Sequence, residues 1–338
     1  MTPSREPPLV SVIVIFLNAE RFIREAVDSV FRQTYPRWEL LLVDDGSTDA
    51  STDIAKGYAA AHPDRVRYLE HAGHVNRGMS ATRNLGIRSA AGEFIAFLDS
   101  DDVWLPAKLD EQVTIMVGNP EAGMVCGAAK YWTSWSDADG GHSDLVVPTG
   151  GLQNQVSYPP SLLLQLHPLG PGVSPCPSDL MLRRSTLLQV QGFEELFIGS
   201  YEDQAFLAKV HLAAPVYVSS ATWLLYRRHA DSCMARIHRE GKYHHVLRYF
   251  LAWLGRYLAD QRVADLAILD ALARARRGCS RPMLAWAYLK AHAAQGGVPP
   301  LARLANRAFG AVAKGMHRAL TVAQTRGDRD VRKVPPAR

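Results

Sequence analysis

The chain has few cysteines and no long apolar run, and both shortages limit what it can be. Only four of its 338 residues are cysteine (Cys126, Cys176, Cys233 and Cys279), and no two of them form a C-x-x-C pair. Isolated cysteines favour reduced structural thiols over a disulfide framework or a zinc site. No apolar stretch approaches the roughly 18 residues that a membrane-spanning helix needs. The first ten residues lack the apolar core of a signal peptide, so we expect a cytoplasmic protein.

Positive charge is scarce in the first two thirds of the chain and concentrated in the last third. Residues 1–235 carry 18 Lys and Arg against 27 Asp and Glu, whereas residues 236–338 carry 20 against 6. Basic segments of this kind can contact nucleic acid, an anionic membrane or the acidic body of the same protein. The first 235 residues show no basic footprint, and we predict no nucleic-acid partner.

Strand-like and helical patterns alternate along the first hundred residues. The strand-like runs are residues 9–18, 38–47, 65–70 and 93–99. The runs with helical spacing are residues 19–33, 51–61 and 78–92, and Asn18 is expected to cap the first of them. This alternation predicts a doubly wound α/β domain with a mostly parallel sheet, whose ligands bind at the carboxyl ends of the strands.

The pattern changes three times after that. Residues 131–178 are rich in Pro, Gly and Ser, which is typical of a long loop that is either functional or disordered. Helical and strand-like patterns return up to residue 229, with two strand-like runs at the end. We predict a catalytic α/β domain over residues 1–235, a basic helical appendage over residues 236–325 and a disordered tail over residues 326–338.

Residues 301–320 form two faces on a helical wheel. Leu301, Leu304 and Val312 lie on an apolar face, while Arg307 and Lys314 lie on the opposite, cationic face. Two interpretations stay open. The helix either packs on the α/β domain with its basic face in solvent, or attaches peripherally to an anionic membrane at the inner face of the cell.

Several blocks, in order along the chain, resemble the family 2 glycosyltransferases of the GT-A fold. These are VSVIVIFLNAERFIREAVDSVFRQTYPRWELLLVDDGSTD, NRGMSATRNLGIRSAAGEFIAFLDSDD, GFEE, YEDQAFLAKV and YRRHADS, and the resemblance covers roughly residues 9–235. The resemblance implies inverting transfer of a sugar from a nucleotide sugar, with uridine favoured as the base. The acceptor would be a hydroxyl of a glycan, a lipid-linked molecule or another precursor of a cell-surface polysaccharide.

The resemblance gives the three carboxylates in FLDSDD a chemical role. Asp99, Asp101 and Asp102 would repel one another, and capping the next helix needs only one of them. A nucleotide diphosphate requires a cation, and Mg²⁺ or Mn²⁺ binds carboxylate and phosphate oxygens. By resemblance, Asp101 would hold the metal, Asp99 would face the ribose and a metal-bound water, and Asp102 would support them.

Two further blocks would bind the nucleotide. The resemblance places the base beside the backbone of Phe16 and near Asn18, with Asp45 accepting a hydrogen bond from it. Gly46 would let the backbone turn closely, while the residues after it could cap a helix. Arg83 and Arg77 would contact the diphosphate or a base edge, although a surface helix with routine charges is the alternative. His229 would contact a phosphate or the metal.

The block YEDQ would supply the general base. An inverting transfer needs a carboxylate that deprotonates the acceptor hydroxyl, and the resemblance assigns this role to Asp203, with Glu202 raising its pKa by repulsion. Acidic residues also favour helix N-termini for dipole reasons, which is the plainer interpretation. Trp104, Trp132 and Trp135 could stack on an acceptor sugar, although buried Trp is commoner.

Two other classes of protein compete with this interpretation. A sugar nucleotidyltransferase usually has a Gly-rich phosphate loop after its first strand, but FLNAERF contains no glycine. A non-catalytic protein that binds nucleotide sugars would be favoured if Asp203 were irrelevant or if metal binding were absent.

Overall fold

The computed structural model describes residues 6–136 and 143–279, and a ten-stranded sheet lies at the centre of this part. The strands are β1 (Val10–Phe16), β2 (Trp38–Asp44), β3 (Val66–Glu70), β4 (Phe94–Asp99), β5 (Val103–Trp104), β6 (Met124–Trp132), β7 (Leu145–Val147), β8 (Gln155–Ser157), β9 (Met181–Arg183) and β10 (Val216–Arg227). The larger helices are α1 (Ile23–Phe31), α2 (Ser51–Ala61), α3 (Met79–Ser89), α4 (Lys108–Gly118), α5 (Ser161–Gln165), α6 (Arg184–Gln189), α7 (Glu202–Ala213), α8 (Cys233–Arg239), α9 (Tyr243–Asp260) and α10 (Leu266–Gly278).

The sheet has a parallel half and a mixed half. Its strand order is β3-β2-β1-β4-β9-β6-β10-β5, and β7 and β8 pair with β6 and β10. The first four strands are all parallel, so their carboxyl ends meet at one edge. Strand β9 is antiparallel to both β4 and β6 and joins the halves. The predicted α/β class with a parallel sheet is confirmed, and the antiparallel strands are additions beyond it.

Strand β1 shows why the parallel half is buried on both faces. Val10, Val12 and Val14 point into one apolar cluster, whereas Ile13 and Ile15 point into a second cluster on the opposite face. Side chains alternate with a period of two along a strand, so a continuous apolar run fills both cores. Helices α1 and α4 contribute to the first cluster and α7 to the second.

Two local predictions were wrong. Asn18 does not cap α1, which begins at Ile23; instead the Asn18 backbone has φ +50° and its side-chain oxygen accepts the Thr48 N–H. The two strand-like runs near residue 220 form one strand, β10. Its pairing with β6 shifts register between Val218 and Leu224, and this irregularity interrupts the alternation that the sequence shows.

The predicted loop at 131–178 carries more structure than its composition indicates. Strand β6 extends to Trp132, and β7, β8, α5 and a single 3₁₀ turn (Pro177–Asp179) follow within the described residues. Edges of the sheet supply the hydrogen bonds, because β7 pairs with β6 and β8 pairs with β10. Tertiary pairing therefore orders short strands inside a segment that is rich in Pro, Gly and Ser.

The part of the predicted appendage that the structure describes is helical. Helices α8, α9 and α10 follow β10, and α9 packs against the start of α7 through Phe250, which lies 5.4 Å from Tyr201 between ring centroids. The predicted boundary at residue 235 stays a prediction. The amphipathic helix predicted at 301–320 and the tail predicted at 326–338 lie outside the described residues.

Candidate active site

Carboxylates collect where the parallel strands end, as the alternation of strands and helices predicts. We call this region the carboxylate edge: Asp44, Asp45, Asp99, Asp101, Glu202 and Asp203. Asp44 is the last residue of β2 and Asp45 follows it, Asp99 is the last residue of β4 and Asp101 lies two residues on, and the last two begin α7. The aspartates after the strands and the α7 pair come from segments at least a hundred residues apart, so only the fold brings them together.

Arg83 joins the two groups of carboxylates. It lies on α3, is only 1% exposed, and donates from Nη2 to Asp99 Oδ1 at 2.6 Å and from Nη1 to Glu202 Oε1 at 3.1 Å. A buried guanidinium between two carboxylates is a strong, geometrically fixed interaction. Arg83 therefore holds the start of α7 against the end of β4. Both of these nitrogens already contact carboxylates in this structure.

The three aspartates after β4 have different surroundings. Asp101 Oδ2 lies 3.0 Å from His229 Nε2, and the Asp101 side chain is 32% exposed. Asp102 is buried and accepts hydrogen bonds from Ser178 Oγ and from the Arg227 backbone N–H. Burial, with the charges of its two neighbours, raises the pKa of Asp102 well above its ordinary value. Asp102 thus fixes the strand end, while Asp99 and Asp101 remain accessible.

His229 lies two residues after the end of β10, and this position places its ring against Asp101. Arg227 donates from Nε to the Asp101 carbonyl at 2.7 Å, and its guanidinium lies over the ring of Trp132. The His229 ring packs 5.0 Å from the Phe22 ring, and its buried Nδ1 has no hydrogen-bond partner in the described part of the chain. The predicted site residues Asp101 and His229 are therefore brought together.

The residues predicted to surround the base lie at the ends of β1 and β2. Asp45 is buried, and its carboxylate accepts the backbone N–H groups of Arg77 and Gly78. Gly46 has φ +85°, and a Cβ there would lie 2.8 Å from the Asn76 nitrogen. Only glycine fits this close approach of two loops. Asp45 and Gly46 thus position the segment that leads into α3.

The other predicted nucleotide contacts, Phe16, Asn18 and Arg77, differ in how exposed they are. The Phe16 side chain is buried in the core, and its carbonyl accepts the Asp45 N–H at 2.9 Å. Asn18 is exposed and tied to the loop after β2, with its N–H donating to Ser47 Oγ. Arg77 is exposed at the rim of the edge. These three assignments stay predictions, and for Phe16 only the backbone is available.

The acidic pair on α7 lies beside Arg83. Tyr201 precedes the helix with φ +65°, a left-handed conformation that is uncommon outside glycine, and Glu202 follows it in a buried position. Burial raises the pKa of Glu202 above its ordinary value, and the charge of Asp203 adds to this in spite of Arg83. Burial likewise raises the pKa of Asp203. Raised carboxyl pKa values suit a general base.

A cavity of about 200 Å³ opens beside Asp203. We call it the tyrosine cavity, since Tyr131, Tyr201, Tyr226 and Tyr243 line it. Its wall also includes Asp179 and His167. Tyr201 and Tyr226 begin two of the quoted blocks, YEDQAFLAKV and YRRHADS. No motif marked the other lining residues named here, which come from β6, the region of the predicted loop and the helical appendage. Asp203 belongs to both the carboxylate edge and the cavity.

Trp104 is not available to stack on a sugar, whereas stacking by Trp132 and Trp135 stays a prediction. Trp104 is 1% exposed and donates its indole N–H to the Ser178 carbonyl, so its role is structural. Trp132 and Trp135 pack against the Arg227 guanidinium, at 4.4 Å and 4.8 Å from the ring centroids. Within the described residues, aromatic rings beside the candidate base are those of the tyrosine cavity.

A family comparison explains this arrangement. Residues 11–185 match the family model described as "Glycosyl transferase family 2". The chain belongs to this family. The match begins in β1 and ends in α6, and it includes all carboxylates of the edge except the pair on α7.

Curated proteins named as glycosyltransferases match about a third of the chain. The putative glycosyltransferase EpsE of Bacillus subtilis is 39% identical over 109 residues, which are 32% of this chain and 38% of that protein. The UDP-Glc:alpha-D-GlcNAc-diphosphoundecaprenol beta-1,3-glucosyltransferase WfgD of Escherichia coli is 39% identical over 111 residues, 33% of this chain and 42% of that protein. The chain thus spans about two fifths of the length of these relatives.

Solved structures of similar fold cover more of the chain. S. aureus TarS 1-349 aligns with 80% of this chain and 71% of its own, with a TM-score of 0.54 and 21% identity. The mannosyltransferase PcManGT from Pyrobaculum calidifontis, in complex with GDP-Man and Mn²⁺, aligns with 94% of this chain and 84% of its own, with a TM-score of 0.52 and 21% identity. The likeness supports the predicted GT-A fold.

Proposed function

We propose that this family member is an inverting glycosyltransferase that moves a sugar from a nucleotide sugar to the hydroxyl of a polysaccharide precursor. The observation that carries the proposal is the Arg83 bridge. It holds Asp99, the last residue of β4 and a predicted contact of the donor ribose, against Glu202, the neighbour of the predicted base Asp203. An in-line displacement needs a donor site and a base on the same edge of the sheet.

The relatives support the choice of substrates. WfgD is named for transfer from UDP-Glc to a sugar on diphosphoundecaprenol, and TarS has been solved with UDP-GlcNAc. PcManGT has been solved with GDP-Man. We therefore favour a UDP-sugar as donor and a glycan or lipid-linked precursor as acceptor, with GDP as the nucleotide to test against.

A divalent cation is part of the proposal, and the residues present fit one. Asp99 and Asp101 are partly exposed, and each has one oxygen engaged with Arg83 or His229 and a second that could ligate. No three His, Cys, Asp or Glu side chains among the described residues could hold a metal by themselves. Mg²⁺ commonly binds one or two carboxylates and completes its shell with substrate phosphates, where it stabilises the leaving diphosphate.

The chain's own residues would perform the proton transfer. The acceptor oxygen attacks the anomeric carbon from the face opposite the diphosphate, and Asp203 takes the hydroxyl proton as the new carbon–oxygen bond forms. The bond from the anomeric carbon to the phosphate oxygen breaks, and the nucleoside diphosphate leaves with the bonding electrons. Asp203 suits this step because burial raises its pKa, which makes its carboxylate a stronger base.

Membrane attachment stays a separate proposal. No described helix is both long and apolar enough to cross a membrane. The basic helix predicted at 301–320 would attach the enzyme to an anionic inner leaflet, where lipid-linked acceptors lie. Flotation with anionic liposomes would test this, and unchanged flotation after deletion of residues 296–338 would contradict it.

The function is tested by calorimetric titration of UDP, dTDP, GDP and CDP, with and without Mn²⁺. We expect one nucleotide, UDP, to bind in a metal-dependent way. Asp101→Asn should weaken that binding about 10- to 100-fold because it removes a ligand charge. Asp203→Asn should retain binding but lower transfer by about 10²- to 10⁴-fold.

Asp53→Asn is the matched control, since Asp53 is exposed on α2 and the substitution removes the same charge. It should change neither binding nor transfer. If no nucleotide binds under any metal condition, the enzymatic proposal is wrong, and a non-catalytic role becomes the better explanation.

A further inference from the structure

The tyrosine cavity is a space among the described residues that the candidate base lines and that is large enough for a ligand. Its volume of about 200 Å³ corresponds to about seven water molecules. That volume is enough for one sugar ring. Because Asp203 lines the wall, a hydroxyl deprotonated there belongs to the molecule in the cavity.

Asp179 leaves a hydrogen-bonding position unfilled in the same wall. Its side chain is 1% exposed, and Oδ2 accepts the Gly127 N–H, but Oδ1 has no partner in the described part of the chain. Asp102 provides the contrast: it is equally buried, yet Ser178 and Arg227 satisfy both of its oxygens. A buried carboxylate oxygen without a partner is costly, and a ligand hydroxyl would supply the missing donor.

Two carboxyl groups line the cavity, burial raises the pKa of both, and no positive side chain lines it among the described residues. These groups belong to Asp179 and Asp203, and none of the described lining residues is Lys or Arg. Burial lowers the pKa of His167 below its ordinary value, so this imidazole is neutral near pH 7. The buried Lys108 donates to the Asp179 carbonyl at 2.9 Å from behind the wall. A ring with a carboxylate or phosphate would therefore meet like charge.

Aromatic faces complete the wall. Tyr131 and Tyr226 lie 5.2 Å apart between centroids, and their planes are tilted by 40°. His167 Nε2 lies 3.1 Å from the Tyr201 hydroxyl and 3.3 Å from the Tyr243 hydroxyl, which ties the α7 start to α9. Tyrosine rings offer apolar faces to the C–H groups of a sugar and hydroxyls to its oxygens.

We propose that the tyrosine cavity is the acceptor subsite and takes one glycosyl ring that carries no negative charge, with Asp179 accepting a hydrogen bond from a ring hydroxyl. This inference rests on the proposed function for the role of Asp203. It goes beyond that function by naming the charge class of the acceptor and a residue that selects it.

The test compares matched pairs of probes that differ only in charge. The pairs are p-nitrophenyl β-D-glucoside with p-nitrophenyl β-D-glucuronide, and the corresponding β-D-galactoside with β-D-galacturonide. Binding is measured by saturation-transfer NMR on the full chain with UDP and Mg²⁺. We expect a neutral glycoside to bind wild type at least about tenfold more tightly than its anionic partner.

Asp179→Asn keeps the shape and an oxygen for the Gly127 N–H while removing the charge. It should weaken the neutral glycoside about tenfold and reduce the discrimination against the anionic one. Asp53→Asn removes an exposed charge and should change neither. Equal binding of both members of each pair to wild type, no binding of either neutral glycoside, or an unchanged ratio in Asp179→Asn would each overturn the inference.

Calorimetry with UDP on the same samples separates the two proposals. If UDP binds but the neutral glycosides do not, the acceptor inference fails and the proposed function stands. If UDP does not bind but the glycosides show the expected discrimination, the cavity is a sugar site and the transfer function fails. The wild-type comparison needs no variant, so it remains decisive if Asp179→Asn does not fold.

Discussion

The carboxylate edge and the tyrosine cavity share Asp203 but are built in opposite ways. At the edge, polar and charged side chains contact one another. Arg83 forms ion pairs with Asp99 and Glu202, and the His229 ring lies within hydrogen-bond distance of Asp101. In the cavity, apolar rings surround Asp179, one of whose buried oxygens has no partner within the described residues. The edge is held by its own charges, whereas the cavity leaves a position for a ligand to fill.

This difference separates two tasks. A network of paired charges fixes geometry before a diphosphate and a cation arrive, which is useful where large charges must be positioned. An unfilled hydrogen-bond position in an apolar wall selects one ligand over another, because the wrong ligand leaves it unfilled. Substitutions should therefore affect the edge mainly through stability and geometry, and the cavity mainly through selectivity.

The largest effect on stability is expected at the bridge of the edge. Arg83→Met leaves the buried Glu202 and the partly buried Asp99 without their shared cation. Breaking a buried ion pair in this way costs about 3–5 kcal/mol of unfolding free energy. Urea unfolding measures it. Arg88→Met on the same helix is the control, since Arg88 is 62% exposed, and it should cost less than about 0.5 kcal/mol. Equal costs would contradict the bridge.

The next effect concerns the lysine behind the cavity wall. Burial lowers the pKa of Lys108 to about 8, from 10.5. Between these values the unfolded chain holds a proton that the folded chain has lost, so the Lys108 contribution to stability rises with pH from about 8 to 10.5. Lys108→Met removes this contribution. Between pH 7.5 and 10.5, the unfolding free energy of wild type should therefore rise by about 2–3 kcal/mol relative to that of the variant.

Unfolding by urea at several pH values tests this prediction. Lys242→Met, at an exposed position, is the control, and its unfolding free energy should change with pH in the same way as that of wild type. If the difference between wild type and Lys108→Met stays constant with pH, the lysine is not desolvated as the structure indicates.

The smallest effect on stability is expected at Gly46, in the loop that follows β2. Gly46→Ala places a Cβ 2.8 Å from the Asn76 nitrogen at a φ of +85°, which should cost about 1–3 kcal/mol. It should also weaken UDP binding if this loop carries the base. Gly118→Ala, at the end of α4 with open space around it, should be neutral or slightly stabilising. Similar stability of both variants would argue against the close approach.

The sequence predicted the edge better than the cavity, and particular residues show why. Asp44, Asp99 and Asp203 stand at ends of regular elements, and parallel strands bring such ends to one side of the sheet. Tyr131, Asp179 and Tyr243 meet through long-range packing, and no local pattern records it. Trp104 shows the converse error, because an aromatic residue beside an acidic motif proved to be a buried core side chain.

By itself, the sequence determined the parallel half of the sheet, the family and the positions of most carboxylates. It could do so because apolar periodicity and short motifs act over a few residues. Only the tertiary structure decided that Arg83 faces two carboxylates, that Asp102 is satisfied while Asp179 is not, and that a helix of the appendage helps to enclose the cavity. Those outcomes depend on burial and on contacts between distant segments, since a side chain's charge and partners are set by what the fold places against it.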